Sequence, residues 1–225
     1  HELIGIRLDS GDLAYLSIEA RKILDAEGFP DAKIIASNEL DENIIASLKD
    51  QGAKIAVWGV GTKLITAYDQ PALGGVYKLS AVREPGGGWK YKVKLSEQAV
   101  KVSNPGILQA RRYSKGGQAI ADCLYDQSAD LSKGCIMIDP FDMTRQKRVP
   151  ADSEFRDLLV PVFREGRRVY PKVTIEEAKK NARQSLEWFH SGVKRFVNPH
   201  QFPVGLEKSL YALKTDLILK TREAA

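Results

Sequence analysis

Two short stretches carry residue types that do chemistry at a spacing that brings them together. The first is Arg7-Leu8-Asp9-Ser10-Gly11-Asp12, at the end of an apolar run. Arg7 and Asp9 are two residues apart, so in a strand both project to one face. A buried face holding both charges requires that they pair or meet a ligand. A guanidinium holds a carboxylate through two parallel hydrogen bonds, and an aspartate accepts well from ribose hydroxyls. The same residues also fit a structural Arg–Asp pair followed by a helix cap at Asp12. The second stretch, Gly59-Val60-Gly61-Thr62, follows an apolar run and precedes a helical pattern. Glycines admit a ligand close to the backbone, free amides at a helix start bind phosphate, and the Thr62 hydroxyl adds a donor. Leu64 stands where a dinucleotide fingerprint needs its third glycine, and no Walker A loop follows. The loop is a generic phosphate cup or a tight turn. Lys78 lies in a further apolar stretch, where an inward lysine neutralises phosphate and an outward one is merely solvated.

The elements that must position these residues follow from periodicity. Leu3–Leu8, Lys33–Ser37, Ile55–Trp58 and Gly75–Val82 read as strands. Between them, Leu13, Leu16, Ala20, Ile23 and Leu24 share one helical face. Asn38 is placed to cap a second helix with Asp41 and Glu42 in its first turn, and a short helical stretch covers Lys63–Tyr68. This β-α-β-α-β-α-β order predicts an α/β parallel sheet, open or closed into a barrel, with ligands at the C-terminal edge of its strands.

After Arg83 the pattern changes. Trp89–Leu95 alternates apolar residues with Lys90, Lys92 and Lys94, the signature of a half-buried antiparallel strand with a wet lysine face. Short strands are expected near 108–113, 119–125, 135–138 and 158–163. Thr174-Ile175-Glu176-Glu177 is a capping box opening a long helix, and Leu206, Leu210, Leu213 and Leu217 mark a last one. Three segments result: 1–82, a β-rich 83–171, and a helical 172–225.

Composition sets the outer bounds. The chain has 225 residues, 43% of them hydrophobic, which excludes a disordered polypeptide. No run is long enough to span a bilayer. Cys123 and Cys135 are too few for a disulfide framework or a four-ligand metal site and read as core residues of a reducing, cytoplasmic protein. His190 and His200 read as surface residues. Residues 1–82 hold 8 basic against 12 acidic side chains and residues 83–225 hold 26 against 17, a split that suggests two units. The basic unit suits phosphates or nucleic acid. No helix-turn-helix, zinc-finger or aromatic RNA-binding signature supports the latter. The chain opens on His1 without a signal peptide and reads as part of something longer.

Taken in order, Gly5-Ile6-Arg7-Leu8-Asp9-Ser10-Gly11-Asp12-Leu13, Ser37-Asn38-Glu39-Leu40-Asp41-Glu42, Gly59-Val60-Gly61-Thr62, Leu73-Gly74-Gly75-Val76-Tyr77-Lys78-Leu79, Lys94-Leu95-Ser96 and Lys101-Val102-Ser103-Asn104-Pro105-Gly106 resemble the second half of the nicotinate phosphoribosyltransferase family. The resemblance is firm over residues 2–113. It implies an irregular, TIM-like α/β barrel joined to a second domain, with active sites at a homodimer interface. It implies formation of nicotinate mononucleotide and diphosphate from nicotinate and 5-phosphoribosyl 1-diphosphate, with Mg2+ and ATP hydrolysis through a phosphohistidine. None of His1, His190 and His200 matches the phosphohistidine motif.

By position, Arg7 resembles the arginine that holds the nicotinate carboxylate. Asp9 resembles the catalytic carboxylate near the ribose. Gly59, Gly61 and Thr62 resemble the 5-phosphate cup, and Lys78 and Lys101 resemble residues near the diphosphate. The family's front half, or a companion chain, is the expected partner, and without it the chain is expected to be inactive. A nicotinamide- or quinolinate-using relative is the alternative within the same chemistry.

Overall fold

The computed structural model describes residues 3–72 and 74–223, so His1 and Leu73 of the stretches above lie outside the described residues. The chain forms two compact units, residues 1–76 and 77–225.

The first unit is built from β1 (Gly5–Leu8), α1 (Leu13–Ala26), β2 (Lys33–Ala36), α2 (Glu42–Asp50), β3 (Val57–Trp58) and the one-turn α3 (Thr62–Ile65). The strands form a parallel sheet in the order β1-β2-β3, with Arg7 opposite Ile35 and Leu8 opposite Ala36. The helices cover the sheet through two clusters, one of Leu13, Ala14, Ala36, Leu40 and Leu48, the other of Leu24, Ala32 and Ile34. Gly5 is required where β1 meets β2, because a Cβ there would collide with the Lys33 carbonyl. The buried stripe of α1 runs through Leu13, Ser17 and Leu24. Ile23, placed on that face by the sequence pattern, is 64% exposed, about 100° around the helix from Leu24. Buried Ser17 is satisfied: its hydroxyl donates to the Ala14 carbonyl and accepts the Lys54 amide at 3.0 Å, tying α1 to the approach to β3.

The expected fourth parallel strand does not form. Residues 74–80 are irregular, and Val76, Tyr77 and Leu79 are more than half exposed. β-propensity expresses packing against neighbouring strands, and these side chains have none to pack on. Only Ala81–Arg83 (β4) is a strand, paired antiparallel with β5 (Trp89–Tyr91). The alternation holds only along 91–95, where Tyr91, Val93 and Leu95 are half-buried and Lys92 and Lys94 exposed; Trp89, placed on the apolar face by the pattern, is 49% exposed, and the strand ends at Tyr91.

The rest of the second unit comprises β6 (Leu108–Lys115), β7 (Gln118–Asp126), β8 (Cys135–Ile138), β9 (Gln146–Val149), β10 (Glu154–Asp157), β11 (Phe163–Arg164), β12 (Arg167–Arg168), α4 (Ile175–Glu187), β13 (Val204–Glu207) and α5 (Lys208–Glu223). Its main sheet is a curled, six-stranded half-barrel in the order β10-β6-β7-β13-β8-β9. The core holds Tyr113, Ala121, Cys123, Cys135, Met137 and Val149, which makes both cysteines core residues. Hydrogen bonding to Cys135, then burial, push the Cys123 thiol up, so it stays neutral.

The strands β9, β12 and β13 escaped the sequence pattern. The polar run Gln146–Val149 buries only Val149, and Leu206, assigned to the last helix, belongs to β13. Gly205 lets β13 enter beside β8, since a Cβ would sit 3.0 Å from the Ile138 carbonyl. The strand expected at 158–163 forms earlier, as β10, because Arg111 and Asp157 are register partners on β6 and β10 and join through two hydrogen bonds of 2.7 and 3.0 Å. The capping box of Thr174 and Glu177 opens α4 as expected, but no α4 side chain is buried among the described residues.

Asp126 anchors the entry to the main sheet. It is 5% exposed and accepts hydrogen bonds from the Ile107 amide at 2.6 Å, the Tyr91 hydroxyl at 3.2 Å, and the amide and hydroxyl of Ser128. Gly106, at φ 105°, must be glycine, because a Cβ would strike this carboxylate. Burial pushes the Asp126 carboxyl up, but the hydrogen bonds from Ser128, Ile107 and Tyr91 outweigh it and hold it below the usual range. Its contribution to stability is therefore complete above about pH 4, the unfolded value, and is lost as pH falls through the lower folded value. Asp126→Ala is expected to cost about 2–3 kcal/mol in urea denaturation at pH 7. The gap from wild type should narrow below about pH 4; a gap independent of pH would show that the charge is not what matters.

Candidate functional site

The parallel pairing of the first unit brings three strand ends to one edge. The Ser37 amide donates to the Leu8 carbonyl at 2.9 Å, and the Gly59 amide to the Ala36 carbonyl at 2.7 Å. Arg7 and Asp9 therefore flank the end of β1, Ser37 ends β2, and the Gly59–Thr62 loop leaves β3. The outer strands stand two sheet spacings apart, about 10 Å.

Arg7 donates to the Ser37 hydroxyl at 2.8 Å and pairs with Asp9 at 3.0 Å. The expectation of a buried charged face is corrected here, since the two side chains are 61% and 53% exposed. An exposed pair contributes about 0–1 kcal/mol, so its geometry does little for the fold. The guanidinium has five N–H donors, and those not engaged by Ser37 and Asp9 remain available to an anion. Asp12 serves the backbone instead, capping α1 by accepting the Tyr15 amide at 3.0 Å. Asn38 does not cap α2. Asp41 does, accepting the Ile44 amide at 2.8 Å, and Asn38 takes a φ of 114° that turns the chain out of β2. A cleft of about 370 Å3 opens on this edge between Gly11, Asp12, Asn38 and Glu39.

Gly59 packs tightly, with a Cβ position 3.4 Å from the Ala36 carbonyl, whereas Gly61 faces open space. Gly61 caps α3 without a side chain. Among the described residues no acceptor engages the Thr62 and Lys63 amides or the Thr62 hydroxyl. Short as α3 is, it thus presents several donors beside Gly61.

Lys78 and Lys101 belong to the second unit and are both exposed. Their segments are stitched together there. The Ser80 carbonyl, two residues after Lys78, accepts the amides of Lys92 at 2.8 Å and Gly106 at 3.0 Å. Lys94 and Ser103 exchange two hydrogen bonds of 2.8 and 3.2 Å. Lys101 ends a single 3-10 turn, Ala99–Lys101. His190 accepts the Gly192 amide at 3.0 Å, a local capping role. Among the described residues no group of three or more His, Cys, Asp or Glu side chains converges, so these residues do not by themselves fit a resident metal. No helix among them is long and apolar enough to cross a membrane. A cavity of about 660 Å3 beside Phe141, Arg145 and Phe202 holds none of the predicted site residues.

Ser37 is the partner that sequence reasoning missed. Its signal was present: a serine just beyond the register partner of Leu8, on the neighbouring parallel strand.

Residues 109–214 match the family model of the nicotinate phosphoribosyltransferase C-terminal domain. The nicotinate phosphoribosyltransferase of Bacillus subtilis is 43% identical over 221 residues, an alignment covering 96% of this chain and 44% of that protein. That of Caenorhabditis elegans is 33% identical, covering 92% and 38%. The crystal structure of human nicotinic acid phosphoribosyltransferase superposes with a TM-score of 0.65 at 25% identity, over 96% of this chain and 40% of that one. The chain is a homologue of the C-terminal part of nicotinate phosphoribosyltransferases, and spans less than half the length of these relatives.

The geometry separates a helix cap from an exposed ion pair. In urea denaturation, Asp12→Ala is expected to cost about 0.5–2 kcal/mol, as loss of an N-cap does. Arg7→Ala is expected to cost less than about 1 kcal/mol. The reverse ranking would make the Arg7–Asp9 pair a structural element.

Proposed function

We propose that the full-length protein carrying this chain is a nicotinate phosphoribosyltransferase. It joins nicotinate to 5-phosphoribosyl 1-diphosphate, giving nicotinate mononucleotide and diphosphate, with ATP as cosubstrate. The observation that carries this reading is the shared strand edge. It sets a guanidinium bound to Asp9 and Ser37 about two strand spacings from a loop of unpaired amides. A pyridine mononucleotide carries its two anionic groups at opposite ends, which suits that layout.

Arg7 holds the nicotinate carboxylate by charge-assisted hydrogen bonds. Gly61 and Thr62 hold the 5-phosphate through their free backbone amides and the Thr62 hydroxyl, and Gly59, whose own amide is taken by the Ala36 carbonyl, lets the chain turn into that cup. Asp9 orients the ribose hydroxyls and favours the positive charge that develops at the anomeric carbon as its bond to diphosphate breaks and the bond to the pyridine nitrogen forms. Much of the acceleration then comes from positioning. Lys78 and Lys101 are assigned to the leaving diphosphate by the resemblance of their motifs. Mg2+ accompanies the sugar diphosphate as part of the substrate.

We further propose that residues 1–82 contribute part of an irregular TIM-like barrel. The segment 83–171 forms the β-rich part of a second domain, and 172–225 its helical end. The protein acts as a homodimer in the cytoplasm, a setting in keeping with its two buried free thiols.

The purified full-length protein, given nicotinate, 5-phosphoribosyl 1-diphosphate and Mg2+, is expected to form nicotinate mononucleotide, faster with ATP. Arg7→Ala should raise KM for nicotinate about tenfold or more with little change for the sugar diphosphate, and Thr62→Ala should do the reverse. Equal effects on both substrates would refute the site assignment. Turnover of nicotinamide or quinolinate in place of nicotinate would move the protein to a sister specificity.

A further inference from the structure

The segment that presents Lys101 is held from the far end of the chain. Lys214, in α5, reaches the Asn104 side-chain oxygen at 2.8 Å and the Val102 carbonyl at 3.4 Å. Val102 follows Lys101 directly, and Asn104 lies three residues on. The rest of this turn is fixed by neighbours already described: Ser103 by Lys94, Gly106 by the Ser80 carbonyl, and Ile107 by Asp126. Among the described residues, Lys214 alone hydrogen-bonds to it from α5, between those anchors.

Lys214, like Lys147, donates to neutral oxygens rather than to a carboxylate. It is half-buried, and none of the ion pairs among the described residues includes it. Burial lowers its pKa from the ordinary lysine value, with no carboxylate nearby to offset it. Its ammonium therefore meets two neutral oxygens of the turn that follows Lys101. A side chain needed only for packing would fill the same space without withdrawing a charge from water.

We infer that Lys214 is a positioning residue for the diphosphate site. By holding Asn104 and the Val102 carbonyl, it fixes the turn after Lys101 and so sets where the Lys101 ammonium meets a diphosphate. This rests on the assignment of Lys101 proposed above. The role lies outside the reacting atoms and acts through the loop.

The test uses the full-length protein with inorganic diphosphate as the probe, alongside steady-state kinetics. Lys214→Met keeps the aliphatic stem and removes the donor. It is expected to weaken diphosphate binding in titration calorimetry about tenfold, the loss of roughly one charged hydrogen bond. It should raise KM for 5-phosphoribosyl 1-diphosphate by a similar factor and leave KM for nicotinate within about twofold. Hydrogen exchange at the amides of residues 103–107 should quicken, and Lys214→Arg should recover part of the affinity. Asn104→Ala removes the same contact from the loop side and should reproduce the loss, and the double variant should be no worse than either alone.

If Lys214→Met and Asn104→Ala both leave diphosphate affinity within twofold of wild type, the inference is overturned. An equal rise in both KM values would also overturn it, since a general loss of folded structure affects both substrates alike. Failure of the functional reading looks different: wild-type protein then shows no nicotinate turnover, while Lys214-dependent diphosphate binding still upholds the role of the residue.

Discussion

Parallel strands that pair in register end on the same side of their sheet, and the candidate site depends on that constraint. Hydrogen bonds from Ser37 to Leu8 and from Gly59 to Ala36 fix three strand ends side by side. The constraint reaches back to Gly5, whose missing side chain lets β1 approach the Lys33 carbonyl. It also depends on the two helix caps, Asp12 and Asp41, which start α1 and α2 as the chain leaves the edge. With the caps serving the helices, Arg7 and Asp9 remain exposed and mostly uncommitted. A pair that did more for stability would be less free to exchange partners with a substrate.

The second unit handles its basic charge in two ways. Within the main sheet, Arg111 and Arg112 face Asp157 and Asp122 at registered positions and stack on aromatic rings, Arg111 lying 3.7 Å from the centre of the Phe155 ring. Those guanidinium groups are committed to the fold. The lysines of residues 78–101 sit on loops and short strands at the surface instead, Lys90 meeting Glu84 and the others open to solvent. The loops beneath them are held by Ser80, Asp126 and Lys214. Charge that is tied up stabilises the sheet, and charge on an anchored loop stays in solvent. Net basicity alone does not separate the two, which is why it is a weak argument for nucleic-acid binding.

The pattern of apolar residues revealed the first unit because its elements are local. A helix with a period of 3.6 and a strand of four apolar residues are visible within a short window. The same window misjudged Gly75–Val82, apolar enough for a strand but without a neighbour to pair with. It also missed Gln146–Val149, a polar edge strand that buries only Val149, and the β13 residues, whose pairing partners are distant in sequence. β13 is the clearest case. Leu206 fits a leucine spacing that continues into α5, yet it pairs with Leu124 and Ile138 across the sheet. Periodicity cannot see a strand inserted between two others from about 70 to 80 residues away.

The sequence by itself determined the residue types and spacings that the proposed chemistry calls for: Arg7 with Asp9 two residues later, the glycine loop before Thr62, and the ordered motifs, beside the capping box at Thr174. These are short-range facts, set by residue type and by spacings of a few positions. The tertiary structure decided which groups are free. It committed Asp12 to a helix end, gave Arg7 the Ser37 hydroxyl, left the Arg7–Asp9 pair in water, and brought Lys214 to a loop 110 residues earlier in the chain. Each of those outcomes depends on which distant backbone lies alongside, and so follows from sheet register and helix packing rather than from composition or periodicity.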